Sequence, residues 1–117
     1  LGVVVTAVVV LVVLVGVSML RHNTVFNEWK APLVEHEAPP GMAMVESGSR
    51  FGLIWGNGNH CDAEAWVLLS GDLGSGEIRA HYSAVDDLIV RPDGDLWRVS
   101  IEQLYLTSTT GLDPRCG

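Results

Sequence analysis

The pattern of hydrophobic and polar positions divides the chain into two unequal parts. Residues 1–20 carry no charged side chain, whereas all 21 charged residues lie in the remaining 97. As a helix, 20 residues extend about 30 Å, the thickness of a bilayer's hydrocarbon core. Valine dominates this segment and favours strands in water, but in lipid the backbone must satisfy its own hydrogen bonds, which favours a helix. We therefore predict a transmembrane helix over residues 1–21.

A secretory signal peptide is the alternative interpretation of this segment. Its apolar stretch usually runs only about 7–15 residues and ends at a small-x-small cleavage site, which Ser18-Met19-Leu20 does not provide. A retained membrane anchor is therefore favoured. Small residues in the anchor permit close approach of a neighbouring helix, although they form no GxxxG motif. They are Gly2, Ala7 and Gly16.

The next segment, residues 22–49, is predicted to contain a short amphipathic helix and a Pro/Gly linker. Apolar side chains recur at near-helical spacing between Val25 and Leu33, and Pro32 should kink or end the helix. The sequence Ala-Pro-Pro-Gly at 38–41 then breaks regular structure, and an irregular stretch should follow to about residue 49.

Residues 50–117 are predicted to form a small extramembrane α+β domain. Strand-like patterns cover 51–55, 63–70, 77–84 and 96–106, and a glycine-rich hairpin connection is expected at 71–76. Past Gln103 the alternation of apolar residues shifts, which indicates a bulge or a strand covered on both faces. The predicted fold is one short helix against a three- to four-stranded, mostly antiparallel sheet.

The two cysteines, Cys61 and Cys116, both lie outside the apolar segment. They are either two unrelated buried thiols or a disulfide that closes a loop of about 55 residues, worth several kcal/mol in the chain-entropy model. Sequence spacing leaves both interpretations open. A disulfide would place the domain in an oxidising compartment.

Charge excludes one class of function. The chain carries a formal charge of −7, and its seven basic residues are scattered singly. We expect no nucleic-acid partner, because there is no basic patch to displace counterions from phosphates. The acidity is typical of a solvated surface, and the alternative is electrostatic attraction of a basic partner.

Several short motifs resemble metal or phosphate sites. The sequence Gly71-x-x-Gly74-x-Gly76 is predicted to enter a strand rather than open a helix, so it is interpreted as a hairpin rather than a phosphate loop. The run His60-Cys61-Asp62 offers three potential ligands, but adjacent residues rarely converge on one ion. Further potential ligands that would have to converge on it in the fold are His22, His36 and His81. We predict no metal, no cofactor and no small-molecule substrate.

Catalytic motifs are equally weak, and docking is the expected use of several side chains. No nucleophile elbow or HExxH spacing is present, and paired carboxylates such as Asp86-Asp87 fall in predicted turns. We therefore predict that the protein is not an enzyme. Trp29 lies just beyond the predicted span, where an indole suits the interface or a partner's surface. The remaining candidate docking residues are Phe26, Met42 and Met44.

Residues 63–106 resemble the cytochrome oxidase complex assembly protein family and the related presequence-translocase subunit domain. The likeness lies in an apolar strand that runs into the glycine-rich turn, a second strand over 77–84, and a glycine (Gly94) before a final strand that begins at Trp97. The single span and following helix also resemble that family's layout. Two departures are the Gly-Asp start of the turn and the acidic pair Asp86-Asp87.

The resemblance implies a single-span protein of the mitochondrial inner membrane whose C-terminal domain lies in the intermembrane space. The alternative is a bacterial cytoplasmic membrane with a periplasmic domain. Members of the family bind subunits of respiratory complexes or translocase partners rather than catalyse reactions. We therefore expect a non-catalytic accessory or assembly subunit of a larger membrane complex, with the respiratory chain as the leading class, whose partners are other subunits and the lipid bilayer.

Two alternatives remain at the level of sequence. The first is a translocase or receptor-type module whose acidic domain captures basic segments. The second is a copper or haem delivery protein, since Met42 and Met44 with nearby His36 form a set that soft Cu(I) could use. Docking contacts are the favoured interpretation of the two methionines.

Overall fold

The computed structural model describes residues 1–55, 60–108 and 112–116, with the side chain of residue 108 left out. It confirms an α+β fold in which an apolar N-terminal helix precedes a small domain with a second, short helix and a four-stranded antiparallel sheet. In chain order the elements are α1 (Gly2–Val34), β1 (Ala43–Gly52), β2 (His60–Ser70), α2 (Ser75–His81), β3 (Ile89–Asp93) and β4 (Leu96–Ser108).

Helix α1 is one continuous helix where the sequence predicts two, a transmembrane helix and a short amphipathic helix. It runs without interruption for 33 residues, from the apolar segment into the domain. The polar residues after the apolar segment do not break it, and the hydroxyl of Thr24 donates back to the carbonyl of Leu20 at 3.1 Å. Pro32 lies in its last turn, and the helix ends two residues later, in line with the predicted effect of proline.

The sheet has the order β1-β2-β4-β3, with every neighbouring pair antiparallel. Strands β2 and β4 are both paired on two sides, and β2 is the most buried strand of the sheet. One face of the sheet, together with both helices, contributes the core. Its fully buried members include Leu33 of α1, Val67, Val99, and Ile78 of α2. The other face carries Glu64, which pairs with Arg50 and Arg98.

The predicted position of the first strand is wrong. The strand expected at 51–55 instead occupies Ala43–Gly52, within a stretch expected to be irregular, because pairing with β2 supplies its hydrogen bonds. This strand contains small and polar residues, and Gly48 leaves room for the indole of Trp66 across the pair. Local pattern therefore could not reveal it.

The predicted strand at 77–84 is also wrong, and with it the hairpin at 71–76. The chain forms α2 there, and β2 pairs with β1 and β4 instead. Ile78 and Tyr82 are both buried in the core, and they are four residues apart. That spacing places two side chains on the same face of a helix as well as on the same face of a strand.

The predicted irregularity past Gln103 is confirmed as a bulge in β4. Between Cys61 and Ala63 of β2 the partner on β4 moves from Thr107 to Gln103. Within the bulge Tyr105 adopts a positive φ of 54°. The bulge lies at the end of the sheet that also holds the first residue of β2.

Candidate functional site

The C-terminal segment, residues 112–116, clamps helix α1 to the end of the sheet. Arg115 donates to the backbone carbonyl of Met19 at 3.3 Å and to the side-chain oxygen of Asn23 at 2.5 Å. Its own carbonyl accepts a hydrogen bond from the N–H of Leu53 at 2.9 Å. Gly52 has a φ of +148°, and a Cβ there would lie only 3.0 Å from that carbonyl, so a glycine permits this approach.

Asp113 is the centre of this clamp. Its buried carboxylate accepts two hydrogen bonds from the Arg115 guanidinium, at 2.9 and 2.7 Å, and one contact from Nδ1 of His22 at 2.7 Å. These bonds with Arg115 outweigh the effect of burial and hold the pKa of Asp113 well below its usual range. The carboxylate is therefore ionised throughout the physiological range and holds the guanidinium against the helix.

The disulfide between Cys61 and Cys116 fastens the clamp to the central strand. The two Cα atoms lie 4.9 Å apart, and the bridge joins positions 55 residues apart in the sequence. Both cysteines are buried. Of the two interpretations that the sequence left open, the structure supports the bridge.

Four potential metal ligands meet beside the disulfide. Ligand atoms of His22, Cys61, Asp113 and Cys116 all lie within 4.8 Å of one another. Bridged sulfurs do not offer thiolates, which are the forms of cysteine that bind metals, and the Asp113 oxygens already accept from Arg115 and contact His22. We therefore interpret this cluster as part of the clamp.

The other metal candidates are placed differently. Within His60-Cys61-Asp62 only Cys61 joins the four-residue cluster. His36 and His81 lie together at the other end of the domain, with ring centroids 4.7 Å apart and with Tyr82 beside both.

Asp62 is a second buried carboxylate, and it organises the same end of the sheet. It accepts hydrogen bonds from the backbone N–H groups of Trp55 at 2.8 Å, Ile54 at 3.2 Å and Tyr105 at 3.1 Å. Burial by itself would raise the pKa of Asp62, but these backbone hydrogen bonds and nearby His60 outweigh it and lower the pKa. One carboxylate therefore fixes both the segment after β1 and the bulge in β4.

A cavity of about 280 Å³ opens where α1 meets the sheet. Trp29 and Pro32 of α1 form one side, and three carboxylate residues, Asp86, Asp87 and Glu102, contribute to its lining. An indole ring beside several carboxylates suits a cationic group, since both attract positive charge. We call this the acidic cleft.

The structure places the four predicted docking residues unequally. Phe26 is buried and stacks on Phe51, with ring centroids 4.9 Å apart. Met42 and Met44 are half-buried and pack against the core. Trp29 is half-buried and lines the acidic cleft, so it retains the clearest route to a partner. Docking by these residues stays a prediction.

The apolar half of α1 is exposed over residues 1–14 and partly covered from Val15 onward. The helix is long and apolar enough to cross a membrane, and none of its most apolar 18 residues is buried within the chain. Of the predicted anchor residues, Gly2 and Gly16 have open space where a Cβ would point, and Ala7 is exposed. Close helix approach at these positions stays a prediction.

The sequence did not predict the clamp formed by residues 112–116. Asp113 and Arg115 lie in a segment of loop composition, and they act on residues about 90 positions earlier in the chain. Their only local signal is proximity to Cys116, one of the two cysteines for which the sequence leaves a disulfide open.

Comparisons of the chain with protein-family models, with curated proteins and with solved structures give no match. The resemblance to respiratory assembly and translocase proteins therefore stays a prediction, and functional inference must come from the geometry.

Proposed function

We propose that the protein is a non-catalytic, single-span accessory or assembly subunit of a larger membrane complex, with respiratory complexes as the leading class. The observation that carries the proposal is α1 itself. Its first half exposes apolar side chains to its surroundings, and its second half enters the core of a small domain through Leu33. Such a helix holds a binding domain at a fixed place on a bilayer.

The chemistry of the described residues supports binding rather than catalysis. The two buried aspartates are Asp62 and Asp113. Their carboxylate oxygens accept hydrogen bonds from backbone and arginine donors that hold the fold together. A general base needs a lone pair directed at a substrate. In lipid, the exposed apolar half of α1 would associate with other helices by close packing, for which its glycines leave room.

The disulfide supports an extracytoplasmic position for the domain. Disulfides persist in oxidising compartments and are rare where thiol reductants are abundant. We therefore propose the intermembrane space of mitochondria, or the periplasm of a bacterium, as the side on which residues 21–117 lie.

The test is gentle detergent extraction of the tagged full chain, native gel separation and mass spectrometry of the proteins that co-migrate. Stoichiometric migration with an oxidoreductase complex supports a permanent subunit, and substoichiometric migration with immature complexes supports an assembly factor. Migration of the chain alone contradicts the proposal.

The acidic cleft favours a second candidate function, capture of basic segments. Its lining combines the Trp29 indole with carboxylates, which suits a lysine or arginine side chain from a partner. Binding of a lysine- and arginine-rich peptide should weaken as salt rises. Asp87→Asn should weaken it further, whereas Asp72→Asn, an exposed acid outside the cleft, should not. Equal effects of the two variants would contradict capture by the cleft.

A further inference from the structure

The order of contacts along α1 shows which end of the sheet lies nearest to the predicted bilayer. Met19 and Asn23 contact Arg115, Phe26 stacks on Phe51 near the end of β1, and Lys30 donates to Ser49 one turn higher. The helix therefore rises along β1 from its last residues toward its first. The end of the sheet that holds Gly52, His60 and the β4 bulge is the membrane-proximal end.

This end reaches down to the apolar segment itself. Met19 is the penultimate residue of the 20-residue uncharged stretch, and it accepts a hydrogen bond from Arg115. Val15, Gly16 and Ser18 are already half-covered, whereas the residues before Val15 are exposed. Leu53 is bonded to the same Arg115 through its backbone. Residues 53–55 and the β4 bulge therefore lie at the depth where α1 would leave the hydrocarbon core.

Large apolar and aromatic side chains are exposed at this depth. Leu53 is 40% exposed, Leu104 is 53% exposed and Tyr105 is 62% exposed. Trp55 is half-buried and lines, with Leu104 and Glu102, a cavity of about 350 Å³. The Asp62 carboxylate holds the backbones of Trp55 and Tyr105 side by side. We call these four residues, Leu53, Trp55, Leu104 and Tyr105, the sheet-end patch.

We propose that the sheet-end patch is a lipid-contact surface that rests in the headgroup region of the same bilayer that α1 crosses. This inference rests on the proposed function, because it requires α1 to be a transmembrane span. Tryptophan and tyrosine are the side chains that favour the membrane interface, because each has an apolar body and a polar tip. Leucines beside them would enter the boundary with the acyl chains.

Continuity with the span is what favours lipid over a protein partner as the occupant. A segment that is bonded to Arg115, which itself bonds Met19, cannot lie far from the bilayer if residues 1–20 cross it. Exposed Arg21 at the end of the uncharged stretch suits the same depth, where a basic side chain meets lipid phosphates. The patch would fix the domain against the membrane at a second point beside α1.

The test uses the full chain with 5-fluorotryptophan in phosphatidylcholine nanodiscs, with and without a lipid that carries a nitroxide on its headgroup. The four tryptophans give separate ¹⁹F signals, and Trp55→Phe identifies the relevant one. We expect nitroxide lipid to abolish or strongly broaden the Trp55 signal. The Trp97 signal should persist, because Trp97 is the second residue of β4 and lies roughly 23 Å from the bulge, seven residue steps along the paired strand β2.

Leu104→Ser and Tyr105→Ser should each restore part of the Trp55 signal. Val45→Ser is the matched control, because Val45 is 58% exposed but lies at the opposite end of β1, and it should leave the signal broadened. Unchanged Trp66 and Trp97 chemical shifts will show that a variant is folded, and the tyrosine variant provides the test if the leucine variant does not fold.

Resistance of the chain to alkaline extraction from vesicles separates the two proposals. If the chain resists extraction and Trp55 stays as sharp as Trp97, lipid contact is overturned while the single-span function stands. If alkali releases the chain, α1 is not a span, and both proposals fail together.

Discussion

Helix α1 is attached to the domain in two different ways, one beside its apolar half and one at its C-terminal end. Beside the apolar half the attachment is polar and covalent, through Asp113, Arg115 and the disulfide. At the other end it is apolar, and fully buried Leu33 lies in one cluster with side chains of both sheet and α2. Hydrogen bonds and the disulfide are directional, so they fix the orientation of α1 relative to the sheet. Burial of apolar surface stabilises the contact between helix and sheet but does not fix that orientation.

Both ends contain buried polar groups. At the polar end, Asp62 and Asp113 have several donors each. In the apolar core, the buried hydroxyl of Tyr82 has no hydrogen-bond partner among the described residues, and burial raises the pKa of this phenol. A buried polar group without a partner lowers stability. The hydroxyl of Thr107, which pairs with Cys61 at the polar end, is likewise buried without a partner among the described residues, so each end contains one such group. The following changes test how much each attachment contributes.

Loss of the disulfide should have the largest effect. Opening a closed loop of 55 residues costs about 4 kcal/mol of unfolding free energy in the chain-entropy model, and it also releases Cys116 and with it the clamp. Denaturant unfolding in detergent, with and without a thiol reductant, measures this. The Cys61→Ser/Cys116→Ser double variant should match the reduced protein and show no further response to reductant. Equal stability of the oxidised and reduced chains would contradict the role of the bridge.

Leu33→Ala should weaken the apolar attachment by about 3 kcal/mol. The side chain is fully buried, so its removal loses transfer free energy and leaves a cavity. The same denaturant experiment measures the effect, and Val45→Ala provides an exposed control that should change stability little. If the two substitutions cost the same, Leu33 does not anchor α1 in the core.

Asp113→Asn should cost about 2 kcal/mol, because it removes the charge from hydrogen bonds with Arg115 and His22 in a buried site. The pKa of folded Asp113 is depressed, so its stabilisation is fully present above the usual aspartate pKa of about 3.9 and is lost as pH falls below it. The unfolding free energies of wild type and variant, measured between pH 3 and 7, should therefore approach each other as the pH falls below about 3.9. A constant difference across that range would contradict the assignment.

Tyr82→Phe should have the smallest effect and the opposite sign. Removing the unpartnered hydroxyl should leave stability unchanged or raise it by up to about 1 kcal/mol, because a desolvated polar group disappears while the ring stays. Thermal unfolding measures the stability of this variant and of Tyr105→Phe as a control. Tyr105 is 62% exposed, so loss of its hydroxyl should change stability little. A clear loss of stability in the first variant would show that the hydroxyl has a partner.

Local signals predicted the apolar helix, the α+β class, the antiparallel sheet and the bulge in β4. They failed where two structures share one pattern, as at Ile78 and Tyr82, whose four-residue spacing fits either element. They also failed at β1, where the strand depends on pairing rather than on its own residues. The clamp could not be predicted, because Asp113 and His22 are 91 positions apart and only the fold joins them.

The continuity of α1 has a mechanical consequence. A rigid rod of 33 residues, about 50 Å long, turns any change in the tilt of its lower half into a swing of the body at its upper half. Membranes of different thickness impose different tilts on a helix of fixed apolar length. If α1 spans a bilayer, a change in bilayer thickness would therefore press the sheet-end patch against the headgroups or lift it away from them, so the second point of attachment would itself depend on the thickness of the membrane.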